Sequence, residues 1–212
     1  MILENKIELE KVNTLICGKP GSGKGFILKK WITELNKNGE NVTIINPYGE
    51  YSQFVYDAMD PKTASEVLTN LANKQFDVAK EINRQKCSYN NLKDYKPPII
   101  VIDSIDYYME HPDYKSCDNI KTALYSLSSM STLTGVALIL VTQRGNGGSV
   151  PTVIMNRMEN IMLLGPVSPN DEIFENLFLG NIRLPIQEGY GIIQTRYPDR
   201  VCIFKKDPTK KD

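Results

Sequence analysis

Gly18-Lys19-Pro20-Gly21-Ser22-Gly23-Lys24 is the stretch that decides the fold. A short apolar run from Val12 to Cys17 leads into it, and apolar residues at helical spacing follow from Lys24 to about Asn36. Strand, glycine loop and helix are the setting in which G-x-x-x-x-G-K acts as a phosphate loop. Glycines let successive backbone N–H groups turn inward, the helix N-terminus adds the positive end of its dipole, and the lysine supplies a point charge for the β and γ phosphates. The eighth position of the pattern calls for Ser or Thr, whose hydroxyl holds Mg²⁺, and here it is Gly25. Gly18, Lys19, Pro20, Gly21, Ser22, Gly23, Lys24 and Gly25 are therefore the candidate nucleotide-binding residues, with ATP and Mg held weakly or not at all.

Outward from the loop, β-branched runs alternate with helical stretches. Val42 to Ile45 predicts a strand that stops at Asn46-Pro47-Tyr48-Gly49, and about Thr63 to Lys86 predicts a long helix. After Pro97-Pro98, the unbroken run Ile99 to Ile102, closed by Asp103, has the character of a strand buried on both faces. Ala123 to Leu133 reads as a helix, Val136 to Val141 as a strand ending in Thr142-Gln143-Arg144, and Ile161 to Leu164 as a short strand. Gly189 to Gln194 and Arg200 to Phe204 flank Tyr197-Pro198-Asp199 as an antiparallel hairpin on the sheet edge. The expectation is an α/β fold, with a mostly parallel central sheet, helices on both faces, and one domain over residues 1–212.

A hydrolysing site needs acidic residues at the end of an apolar strand, one for Mg²⁺ and one to polarise the attacking water. Asp103 supplies the first and is the candidate metal-facing and catalytic carboxylate. Ser104 stands where the second, a Glu, is wanted, and a hydroxyl takes up no proton near neutral pH. Asp106 is expected to lie too far along a turning chain to compensate. Gln143 ends a strand on the side where ligands bind in open α/β sheets. It is either a catalytic γ-phosphate sensor or an amide that satisfies loop backbone groups. Losing both the metal hydroxyl and the base predicts turnover slowed by orders of magnitude.

Lys plus Arg and Asp plus Glu each number 25, so no basic excess points to nucleic acid. Cys17, Cys87, Cys117 and Cys202 are scattered and His111 is the only histidine, which leaves no zinc ligand set. No run approaches the about eighteen apolar residues of a membrane span, and the first residues lack a signal-peptide stretch. Lys29-Lys30 and the charged tail with Lys205, Lys206, Lys210 and Lys211 read as solvated charge. Arg144, Arg157 and Arg183 are candidates for a side chain reaching a neighbouring site.

With these residues in place, the chain resembles the RecA-like P-loop ATPase domains of the FtsK/SpoIIIE and wider FtsK–HerA group. The likeness rests on Asn13 to Gly18 with the loop, a helix from Leu68 towards Tyr95 with Asn90-Asn91-Leu92, the Ile99 to Asp103 strand, and Gly135 through Thr142-Gln143-Arg144. Asn46-Pro47-Tyr48-Gly49-Glu50-Tyr51 looks like the D-x-x-G-E-Y segment of HerA-like members, with Asn46 at the Asp. Gly25 and Ser104 depart from active motors, and the DNA-orienting winged-helix module has no counterpart. Among these families the likeness is greatest to the degenerate C-terminal ATPase modules of the type VII secretion proteins EssC/EccC. That resemblance implies a piece of a longer, membrane-anchored chain at the cytoplasmic face, itself soluble, starting directly at its first strand. The partners it implies are the other ATPase modules of the same chain, possible hexamer neighbours, and secreted WXG-type helical substrates, with no nucleic acid. The alternative it leaves open is an active DNA-translocating or conjugative-transfer ATPase.

Overall fold

A computed structural model describes residues 2–4, 11–51, 59–145, 148–178, 182–196 and 199–205. Its centre is an eight-stranded sheet. In chain order the strands are β1 (Ile2–Glu4), β2 (Thr14–Gly18), β3 (Asn41–Ile45), β4 (Pro98–Asp103), β5 (Ala137–Thr142), β6 (Asn160–Leu164), β7 (Tyr190–Arg196) and β8 (Asp199–Lys205). Their order across the sheet is β1-β8-β7-β6-β2-β5-β4-β3. β2 runs parallel to β5 and β6, and β4 runs parallel to β3 and β5. Only β7 reverses against its neighbours β6 and β8. The strand that opens into the glycine loop is thus central, between β5 and β6, as an apolar run buried on both faces requires.

Strict alternation sends the residues of each strand to opposite layers. Ile100 and Ile102 of β4 join Leu138 and Leu140 of β5 in one core, while Ile99 and Val101 join Ile139 and Val141 in the other. The first core is roofed by α2 (Pro61–Gln85) and α4 (Tyr114–Thr134), through Ala64, Leu68, Ala72, Ile120, Leu124 and Leu127. The second is covered by α1 (Lys24–Lys37), whose buried residues Ile27, Leu28, Trp31, Ile32 and Leu35 fall on one stripe at helical spacing.

Aspartates cap the two long helices of the first layer. The Asp60 carboxylate accepts from Thr63 N at 3.0 Å with Pro61 in the first turn, and Asp113 caps α4 through Ser116 N. α4 begins nine positions before the sequence expectation of Ala123, because its first turns are polar apart from the buried Cys117 and Ile120. α2 stops at Gln85, with Lys86 left-handed at φ 51°, and only a 3₁₀ turn, Tyr89–Asn91, continues the stretch towards Tyr95. Three short helices, α3 (Ile105–Met109), α5 (Thr152–Met155) and α6 (Glu172–Phe178), are too brief to carry a periodic signal.

The C-terminal hairpin forms, but it is not the edge of the sheet. Ile2–Glu4 pairs parallel with β8, Leu3 opposite Ile203, and so covers the hairpin's outer strand. The turn residues Tyr197 and Pro198, and the tail with Lys206, Lys210 and Lys211, lie outside the described residues. Among the described residues, no helix is long and apolar enough to cross a membrane.

Candidate nucleotide site

The phosphate loop leaves β2 at Gly18 and enters α1 at Lys24. Gly21 and Gly23 take φ of +78° and +88°, the left-handed region that glycine tolerates. At Gly18 the need is space, because a Cβ there would stand 2.4 Å from Ser22 Oγ. Ser22 N donates to Lys19 O at 3.0 Å and closes the turn, with Ser22 itself buried. Pro20 is exposed on the loop's outer side. Lys19 reaches away from the loop to an ion pair with Asp171, at the start of α6.

Lys24 folds back over the loop it would serve. Its Nζ donates to Gly18 O at 2.6 Å and to Lys19 O at 3.1 Å. Burial pulls its ammonium below the ordinary lysine value, against the opposing influence of Cys17, Asp103 and Asp106. A phosphate arriving at this loop would replace two carbonyl acceptors with charged ones, a stronger partnership for an ammonium in a half-dry setting. Gly25, the next residue, has nothing within 4 Å of where a Cβ would stand. The missing hydroxyl is therefore not excluded by crowding.

Asp103 ends β4, nearly buried at 9% exposure. Its Oδ2 accepts from Tyr51 Oη at 2.6 Å, and its main-chain carbonyl accepts from Asn46 Nδ2 at 2.7 Å. Asn46 Oδ1 accepts in turn from Tyr48 N at 2.7 Å, which folds the segment after β3 against β4. Burial raises the Asp103 carboxyl above its usual range, with Tyr51 and Lys24 working against that and Glu50 adding to it. Among the described residues no group of three or more His, Cys, Asp or Glu gathers to hold a metal. Mg²⁺ nevertheless suits the donors present, since it is commonly held by one or two carboxylates together with nucleotide phosphates and water. Asp103 would be that carboxylate, through the Oδ1 that accepts no hydrogen bond among the described residues.

Asp106 stays at the strand ends. α3 begins directly after Ser104, so the chain turns back within two residues. The Asp106 Oδ1 accepts from Thr142 Oγ1 at 2.8 Å, and Oδ2 from Gln143 N at 2.8 Å and Ser104 Oγ at 3.0 Å. Burial alone would raise its carboxyl, but hydrogen bonds from Ser149, Gln143, Thr142 and Ser104 prevail and hold it below the usual range. A carboxylate has about four lone-pair sites, so these four donors leave little capacity to take a proton from water. Asp106 ties the ends of β4 and β5 together, and Ser104 is one of its ties.

Gln143 itself is exposed, and among the described residues its side-chain amide makes no hydrogen bond. It lines a cleft of about 370 Å³ beside Ser104 and Asp106, walled by Tyr48, Tyr107 and His111. Of the three arginines named from sequence, Arg144 pairs with Glu110, Arg183 pairs with Glu175, and Arg157 lies over the Tyr125 ring. Tyr51 stands in the sequence only as the last residue of the D-x-x-G-E-Y-like segment, which gives no hint that its hydroxyl meets Asp103. Sequence reading passed over the Ser104, Asp106 and Thr142 network.

A mostly parallel central sheet, a formed phosphate loop and a nearly buried carboxylate at the end of β4, one strand removed from β2, give the chain the fold of P-loop NTPases. At the level of sequence, no protein-family model and no curated protein matches the chain. Solved structures do. The pCW3 conjugation coupling protein TcpA, in its monomer form with ATPγS, superposes with a TM-score of 0.79 at 19% identity, over 93% of this chain and 61% of that one. ATPases 2 and 3 of EssC from Geobacillus thermodenitrificans give a TM-score of 0.69 at 16% identity, over 96% of this chain and 41% of theirs. The genome packaging NTPase B204 of Sulfolobus turreted icosahedral virus 2, in complex with ATPγS, gives 0.59 at 15% identity, over 93% and 98%. The chain thus spans 61% of the TcpA chain and 41% of the EssC chain it resembles, less than two thirds of either.

Proposed function

We propose that this chain is a nucleotide-binding FtsK-type module that turns ATP over slowly or not at all, and that it serves substrate recognition and regulation beside an active motor module in a type VII-like secretion machine. The observation that carries this is the state of the strand end beside the phosphate loop: Lys24 and Asp103 are in place, while Ser104 is spent on Asp106 and Gly25 offers the metal nothing. Asn46 adds to it. Its amide donates to the Asp103 carbonyl, a bond that an ionised aspartate there could not make. The partners under this reading are the other ATPase modules of a parent chain, as neighbours in a hexamer, and secreted WXG-type helical proteins. Attachment to the cytoplasmic face of a membrane would come through the parent chain. Likeness to EssC supports the secretion setting.

A second reading, a module of a conjugative DNA-transfer motor, is supported by the likeness to TcpA. The two separate on DNA. Titration of a fluorescent ATP analogue into the purified chain, repeated with Lys24→Ala, should show binding that the substitution weakens at least about tenfold. Duplex DNA added at low and high salt should leave that binding unchanged. A DNA affinity that falls steeply with salt would favour the conjugative reading, because phosphate contacts release counterions. No nucleotide binding at millimolar concentration would reduce the loop to a structural turn.

A further inference from the structure

We infer that Tyr51 is a positioning residue for the metal-facing carboxylate of Asp103, and that this hydroxyl, with the Asn46 amide behind it, does the orienting that a second metal ligand would share in an intact loop. The inference rests on the nucleotide-binding reading above and concerns the same site.

Three observations support it. Tyr51 is fully buried, packed in the core under α1, with Lys29 Nζ 5.7 Å from its ring centre, so the ring has little freedom to turn. Its hydroxyl donates to Asp103 Oδ2 at 2.6 Å and so fixes which oxygen remains open. Asn46, also fully buried, holds the carbonyl of the same residue at 2.7 Å, and its own Oδ1 is occupied by Tyr48 N at 2.7 Å. One six-residue segment therefore grips both the side chain and the main chain of Asp103. Burial and the neighbouring carboxylate keep the Tyr51 phenol well above its usual range, so it stays a donor at every physiological pH.

The chemistry makes this grip matter more here than where the loop is complete. Gly25 contributes no ligand, so one carboxylate oxygen must present itself to the cation without a hydroxyl on the other side. Partners that orient a ligand typically change metal affinity by 10- to 100-fold when removed.

The test is a Mg²⁺ titration of fluorescent ATP-analogue binding to the whole chain, comparing the unmodified protein, Tyr51→Phe, and Tyr108→Phe. Tyr108 is the control because its hydroxyl is as buried but donates to Met59 O at 2.9 Å, away from the loop. Tyr51→Phe should need about tenfold more Mg²⁺ for the half-maximal rise in affinity, with Mg-free affinity unchanged and Tyr108→Phe like the unmodified chain. An unshifted Mg²⁺ requirement in Tyr51→Phe overturns the inference. So does a Tyr51→Phe loss that is equal with and without Mg²⁺, which would mark a merely structural residue. Binding by the unmodified chain that ignores Mg²⁺ also overturns it while leaving nucleotide binding standing, whereas no binding at all overturns the reading beneath it.

Discussion

Restoring a glutamate where a hydrolysing site has one, Ser104→Glu, should damage this protein before it helps it. Ser104 is 7% exposed and its hydroxyl donates to Asp106 Oδ2 at 3.0 Å. Losing a hydrogen bond to a charged acceptor costs about 1.5–3 kcal/mol. The new carboxylate then sits beside an Asp106 that its other donors keep ionised. Two like charges about 4 Å apart repel by about 4 kcal/mol at an effective dielectric of about 20. Part of this is relieved if the glutamate swings into the cleft by Tyr48 and Tyr107. The expected net loss at pH 8 is therefore about 2–4 kcal/mol, read by urea unfolding. Because Asp106 raises the new group's folded pKa, the penalty is present above that pKa and fades as pH falls towards the unfolded glutamate value of about 4.3. The gap to the unmodified chain should narrow between pH 8 and pH 5. Combined with Asp106→Asn, the double variant should cost less than the sum of the two single losses by about 2 kcal/mol. A Ser104→Glu variant as stable as the parent at pH 8, or strict additivity with Asp106→Asn, would mean that Ser104 and Asp106 are not coupled as their hydrogen bond implies.

Other outcomes follow from the same site. Gly25→Thr meets no neighbour and replaces a helical glycine, so it should raise stability by up to roughly 0.5 kcal/mol in thermal melts and strengthen Mg-dependent nucleotide binding severalfold. Burial lifts the folded pKa of Asp103, so its ionised form costs stability above that pKa and nothing below the unfolded value. Asp103→Asn keeps an oxygen for Tyr51, and should stabilise the nucleotide-free chain at pH 7, the gain shrinking towards pH 4 in urea titrations. The Cys17 thiol, pushed up to about 12 by burial, should resist iodoacetamide at pH 8 in the folded protein and react only on unfolding, as mass spectrometry would show.

The sheet was legible where the signal is local and strong. Ile99 to Asp103 and Val136 to Val141 read as buried strands because each is a short, unbroken apolar run bounded by turn or polar residues. The glycine loop fixed the direction of β2 and α1 together. What sequence could not supply was anything set by distance along the chain. Linear spacing hides the turn into α3 that brings the Asp106 carboxylate to donors at Thr142 and Gln143. Tyr51 enters the sequence reading only as the end of the D-x-x-G-E-Y-like segment, and only the pairing of β3 with β4 brings it to Asp103. The first turns of α4 were missed because polar residues surround Cys117 and Ile120. A three-residue strand such as Ile2–Glu4 has no pattern to recognise without its partner β8.

Whether the site holds nucleotide without turning it over is decided by phosphate release from the purified chain, at ATP and Mg²⁺ concentrations shown by titration to saturate it. Turnover should lie orders of magnitude below the about 1–100 s⁻¹ typical of kinases, unchanged by added DNA. Release at about 1 s⁻¹ or faster from the unmodified chain, abolished by Lys24→Ala, would contradict this and show that hydrolysis proceeds here without the serine-to-glutamate repair.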